Sequence, residues 1–282
     1  MTTPRFSETD LDGEVVFDRY IVDGDELDVL QTVLVTAAPR WSSRLRIWKG
    51  PRDQRAIDAS RPGALREAVL AAASERGPTY AALVRAHGRP AMERISGSAE
   101  LRGSTGDLVV VVALDEMVVS PLGDRKNLGN GIDLQVRGAR VQGRPGNEWL
   151  RELFTALCQQ LSPAWGWAGS AAEYWAKAIS DPPRTEAVGR DFGRHLPGLF
   201  WLNFFGRRLT SMIGESRLLS APADSVAPLD AGVLVGVASD PAQWASRDYQ
   251  VSETRVRRHL GDELFFTKAQ PDRPTTVPDW EG

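Results

Sequence analysis

The stretch Asp107–Leu114, DLVVVVAL, decides the fold. Four consecutive valines favour extended backbone, because two heavy atoms on Cβ crowd a helix and pack well on a pleated surface. The run is apolar on both faces, which predicts a strand inside a sheet that is covered on both sides. Upstream, Met92–Leu101 is a second strand-like run, and Gly103-Ser104-Thr105-Gly106 joins the two as a β-hairpin. Downstream, Ile132–Arg137 alternates apolar and polar residues, the pattern of a half-buried strand. A helix follows, with Asn147 as its expected N-cap and Glu148 and Glu152 near its positive end. Its stripe of Trp149, Leu150, Leu153, Phe154, Leu157, Cys158 and Leu161 should pack against the valine strand. Cys158 lies within that stripe and reads as a small core hydrophobe, not a nucleophile.

Working outward, Gly13–Val22 and Asp28–Thr36 read as strands on their β-branched content, with Asp23-Gly24-Asp25 as the turn between them. Arg44–Trp48 is a further short strand. Pro62–Glu75 and Pro78–His87 are expected helices, the first opened by Pro62 and closed by Gly77-Pro78. Beyond Pro163, strands are expected at Trp165–Ala168, Leu199–Phe205 and Ala231–Ala238. Helices are expected at Ala171–Ile179, Arg207–Ile213, Glu215–Leu219 and Val251–Leu260, the last closed by Gly261. Strand and helix alternate without a fixed-period repeat, so the expected class is α+β, an antiparallel or mixed sheet with helices packed on it. Residues 1–95 form an N-terminal segment, 96–270 the main α+β region and 271–282 a loose tail, an organisation compatible with one compact unit.

Composition bounds the function. The chain has 282 residues, 42% hydrophobic and 25% charged, which is ordinary globular usage. Its longest unbroken apolar run is the seven residues Leu108–Leu114, far short of the roughly 20 needed to cross a bilayer. No basic segment followed by an apolar stretch opens the chain, so a cytoplasmic, membrane-free protein is expected. A single cysteine excludes an internal disulfide framework. Charge is segregated: residues 1–38 hold nine acidic and two basic side chains, and residues 39–95 hold five acidic and twelve basic. The balances, −7 and +7, point to neutralisation within the chain or to a basic partner. They do not point to nucleic acid, for which the stretch carries no motif.

The search for chemistry finds little. His87, His195 and His259 are far apart, and HExxH, CxxC and EF-hand spacings are absent, so neither metal nor cofactor is expected. Gly123–Gly131 (GDRKNLGNG) lacks the order of a phosphate loop. Asp115, Glu116, Asp191 and His195 are the residues an enzyme would have to use. Aromatic density is the unusual feature. Trp165, Trp167, Tyr174, Trp175, Phe200, Trp201, Phe204 and Phe205 all fall between positions 165 and 205. Most should build a core, while some Trp and Tyr rings could anchor a protein partner.

Part of the chain resembles a known family. The aromatic strand Leu199–Phe205 ending at Gly206, then Arg217–Pro222 (RLLSAP), then the strand Gly232–Val235 carry the resemblance. Trp165-Gly166-Trp167 and Glu173-Tyr174-Trp175 fit it too. From Asp107 to Phe266 the sequence resembles bacterial immunity proteins of polymorphic toxin and type VI secretion systems, nearest to the immunity protein 52 family. The resemblance implies a non-enzymatic binder that neutralises a cognate toxin encoded beside it. It carries over no catalytic residue. The contact residues expected on this reading are Trp165, Trp167, Tyr174 and Arg194. Two alternatives stay open: an enzyme of hydrolase or nuclease type, and an adaptor of a secretion or defence locus.

Overall fold

Alternation sets the first strand, β1 (Leu11–Phe17): Leu11, Val15 and Phe17 enter one apolar cluster, and Val16 enters another on the opposite face. The computed structural model describes residues 10–19, 21, 23–37, 45–50, 53–73, 97–102, 108–114, 118–119, 126–127, 130–136, 144–178, 192, 194–270 and 276–278. The further strands are β2 (Arg46–Gly50), β3 (Asp53–Ala56), β4 (Gly97–Arg102), β5 (Leu108–Leu114), β6 (Val118–Val119), β7 (Lys126–Asn127), β8 (Asn130–Val136), β9 (Trp165–Ser170), β10 (Leu202–Gly206), β11 (Ser225–Leu229) and β12 (Gly232–Gly236). All but β6 and β7 join one ten-stranded sheet, in the order β11-β12-β10-β9-β1-β8-β5-β4-β2-β3. Each pairing in it is antiparallel. With helices on the sheet, the architecture is α+β. The expected hairpin is present, Gly97 facing Leu114 and Arg102 facing Val109. Meanwhile β1 sits between β8 and β9, so the N-terminal segment supplies a central strand to the sheet of the main region.

Residues expected as a strand at Asp28–Thr36 instead form helix α1 (Glu26–Ala37). Leu27, Leu30, Val33 and Leu34 recur at helical spacing and are all buried, and this burial overrides the β preference of the branched residues. Thr32 and Thr36 turn their hydroxyls back onto the carbonyls of Asp28 and Thr32. The next helix, α2, covers residues 64–73, within the expected Pro62–Glu75. Buried Gln31 fastens it to α1. Its Nε2 donates to the carbonyls of Ala59 and Arg61, both at 2.8 Å, and its Oε1 accepts from Leu65 N at 3.0 Å. The expected helix Pro78–His87 lies outside the described residues.

Helix α3 runs Arg144–Leu161, one turn earlier than expected, so Asn147 lies inside it and is not its cap. The Asn147 side chain instead donates to Asp240 Oδ1 at 3.1 Å. Leu150, Leu153, Phe154, Leu157, Cys158 and Leu161 are all buried, and Trp149 packs partly against them. This stripe meets α1, β1 and β9 directly and shares one core with β5. Gly166 permits the approach: a Cβ there would lie 3.1 Å from Phe154 Cζ and 3.1 Å from the Glu14 carbonyl oxygen.

The opposite face carries a second, aromatic core under α4 (Ala171–Ala178), α5 (Arg207–Ile213), α6 (Glu215–Leu219) and α7 (Arg247–Leu260). Asn203, the one polar residue of the aromatic strand, is buried and satisfied. It accepts from Phe200 N at 2.8 Å and donates to Phe200 O at 2.7 Å. β11 had no counterpart in the sequence reading, because Pro228 argues against a strand. It is an edge strand, where a missing N–H costs no ladder bond. No helix among the described residues is long and apolar enough to cross a membrane.

Candidate functional site

Two polar constellations on this sandwich bear on function among the described residues. The first is closed. Glu173, in the first turn of α4, is fully buried, and its Oε1 accepts from Lys177 Nζ at 2.6 Å and from the Tyr249 hydroxyl at 2.7 Å. Lys177 also donates to the Leu199 carbonyl at 2.6 Å and pairs with Glu253 at 2.9 Å. Its ammonium lies 5.3 Å from the Phe200 ring centre and 5.6 Å from that of Tyr249. Burial pushes the Glu173 carboxyl above its ordinary range, with Lys177 and Tyr249 pulling the other way. The same burial, reinforced by Glu173, pushes the Tyr249 hydroxyl up, so it stays a donor. This network ties α4 to α7.

The second constellation is open. A cleft of about 660 Å³ lies between the first turns of α3, the start of β11 and the loop after β12. Asn147, Glu148 and Arg151 form one wall, Asp224 and Ser225 another, and Ser239, Asp240 and Gln243 the third, with Trp201 among the lining residues. Its groups are fixed before any ligand arrives. Asp240 Oδ1 accepts from Asn147 and from Ala242 N at 2.9 Å, capping the turn Pro241–Gln243. Arg151 Nη1 donates to Ser225 Oγ at 3.0 Å, and its guanidinium lies over Trp201, 5.1 Å from the ring centre. Burial pulls the Arg151 guanidinium below its usual value, and Asp224 pulls it back. It remains a cation at any working pH.

The residues singled out from sequence are placed differently. Trp165 is 0% exposed and packs on Phe192, ring centres 5.6 Å apart. Trp167 is 3% exposed, stacks on Tyr174 at 4.7 Å, and donates through Nε1 to buried Glu14 at 3.1 Å. Both tryptophans are therefore core, and neither presents a ring to a partner. Tyr174 is half-buried as the outer member of that stack. Arg194 is half-buried beside His195, which is 3% exposed and packs on Phe266. Asp115, Glu116 and Asp191 lie outside the described residues. Cys158 is buried, and burial pushes its thiol well up, as suits a core residue. Among the described residues no group of three or more His, Cys, Asp or Glu is placed to hold a metal ion. Within the charged N-terminal segment, Arg66 approaches Asp28 at 3.7 Å, while Arg61 pairs locally with Glu67 at 2.7 Å.

Sequence reasoning passed over Arg151, Asp224 and Asp240. They are brought together across the sheet edge, and no local spacing announces them. The Glu173/Lys177 pair was legible as a carboxylate and an ammonium one helical turn apart.

No family model matches the chain, and no curated protein matches it in sequence. Among solved structures, a Pseudomonas aeruginosa protein described as T6SS protein PA0821 aligns over 93% of this chain and 86% of its own, with 13% identity and a TM-score of 0.46. The likeness is distant, and no residue role is carried over from it.

Proposed function

We propose that this chain is an immunity protein that neutralises a cognate bacterial toxin in the cytoplasm by binding it directly. The observation that carries the reading is the fixed recognition chemistry of the open cleft. An arginine over a tryptophan and a tethered amide on α3, and a carboxylate capping the turn after β12, are held in place on two separate elements. Groups already ordered in the free protein lose little entropy on association, and arginine is among the side chains on which protein interfaces concentrate their energy, here steadied on the buried Trp201 ring. The cleft also lies within Asp107–Phe266, the part of the sequence that resembles immunity families. An inhibitor acting at low toxin copy number needs a dissociation constant near nanomolar, about −12 kcal/mol. Such affinity is usual for an interface of about 1,600 Å² with a few anchors.

Co-expression in a sensitive bacterial host with the neighbouring toxin-like gene, followed by pull-down, tests this reading. Protection together with a recoverable complex is expected. It should persist in the double variant Asp191→Ala/His195→Ala, provided that variant keeps its thermal midpoint. Protection lost in that folded variant, with the complex retained, would replace binding by chemistry.

A further inference from the structure

We infer that Arg151 is the docking arginine of the cleft, and that it takes a carboxylate from an aspartate or glutamate side chain of the partner. The inference deepens the direct-binding reading and rests on it. Other arginines of the structure hold their own carboxylates: Arg19 with Glu26 at 2.7 Å, Arg102 with Glu100 at 2.6 Å, Arg208 with Asp18 at 3.1 Å and Arg257 with Asp262 at 2.6 Å. Arg151, like exposed Arg46 and Arg217, has no such pair among the described residues. It is half-buried against Trp201, yet among the described residues no carboxylate lies within 4.0 Å of it. Its one hydrogen bond among the described residues is to the Ser225 hydroxyl, a neutral acceptor. A guanidinium has five N–H donors, and among the described residues one of them is engaged.

The carboxylates around the cleft do not fill that role. Asp240 is committed to Asn147 and to the Ala242 amide. Glu148 is exposed and has a partner of its own. Asp224 is exposed and attracts Arg151 only through space. A cation drawn partly out of water with only the distant attraction of Asp224 is incompletely compensated, and a carboxylate arriving in the plane of the fork would add two charge-assisted bonds. The surrounding acidic groups also choose between anions. Asp224, Asp240 and Glu148 repel a doubly charged phosphate more than a singly charged carboxylate. Gly236 leaves room for the Ser225 hydroxyl that Arg151 bonds, since a Cβ there would collide with Ser225 Oγ.

Two experiments on the full chain test this. In the first, the Arg151 Nε–Hε resonance, assigned by its loss in Arg151→Lys, is followed while N-acetyl-glutamate amide and, separately, inorganic phosphate are added. A saturable shift with the glutamate, larger than with phosphate, is expected. No shift with the glutamate, or a larger one with phosphate, overturns the inference. In the second, the purified neighbouring toxin is titrated into wild type, Arg151→Ala, Arg151→Lys and Ser225→Ala, each checked for an unchanged thermal midpoint. Arg151→Ala should weaken binding at least about thirtyfold, Arg151→Lys by less, and Ser225→Ala by a few-fold. Wild-type binding with both Arg151 variants unchanged overturns the inference and spares the direct-binding reading. Wild type failing to bind overturns that reading instead, and the resonance experiment then decides the inference alone.

Discussion

The Tyr249 hydroxyl on α7 donates a 2.7 Å hydrogen bond to Glu173 Oε1 on α4, joining residues 76 apart in sequence. Both groups are buried, so the bond is made where water cannot replace it. Tyr249→Phe leaves the carboxylate with Lys177 as its remaining donor and should cost about 1–3 kcal/mol of stability. Urea denaturation checks this, with a substitution at exposed Val251 as a control that should stay within about 0.5 kcal/mol.

The same carboxyl gives stability a pH dependence. Burial raises its folded value above the ordinary 4.5, Glu253 adds to the rise, and Lys177 and Tyr249 oppose it. The folded state therefore binds the proton more tightly than the unfolded state. This contribution is fully present below about 4.5 and is lost as pH rises through the folded value. Unfolding free energies measured across that window should fall with rising pH, and Glu173→Gln should flatten the slope. An unchanged slope in the glutamine variant would place its origin elsewhere.

Phe154 and Leu153 are fully buried on the inner stripe of α3. Alanine at either should cost about 2–5 kcal/mol. A change below about half a kcal/mol in denaturation would contradict the packing.

Gly166 should not tolerate a methyl group. Its Cβ would lie 3.1 Å from each of the Glu14 carbonyl, Phe154 Cζ and Val15 Cγ1, so Gly166→Ala should lose about 1–3 kcal/mol. The accompanying substitution Phe154→Leu should recover part of that loss, because it withdraws one of the three neighbours. Additive losses in the double variant would refute the contact.

Strands and helices were legible where burial and local preference agree. β5 and β8 lie within a residue or two of the alternation, and Arg207–Ile213 and Glu215–Leu219 match residue for residue. Where they disagree, tertiary structure decided. α1 carries β-branched residues into a helix because Leu27, Leu30, Val33 and Leu34 need one buried face. β11 accepts Pro228 because it has no outer neighbour, which a linear reading cannot know. The aromatic density was read as a core with some exposed anchors, and Trp165 and Trp167 proved to be core. Arg151 met Trp201 only through the crossing of α3 over the sheet, a long-range relationship absent from any local spacing.

The measurement that bears most directly on neutralisation by binding is calorimetric titration of the purified chain with the purified product of the neighbouring toxin-like gene. A saturable complex of defined stoichiometry is predicted, with a dissociation constant near nanomolar and toxin activity abolished in step with occupancy. Toxin activity abolished at substoichiometric amounts of this chain, or no complex from two folded proteins, would contradict it.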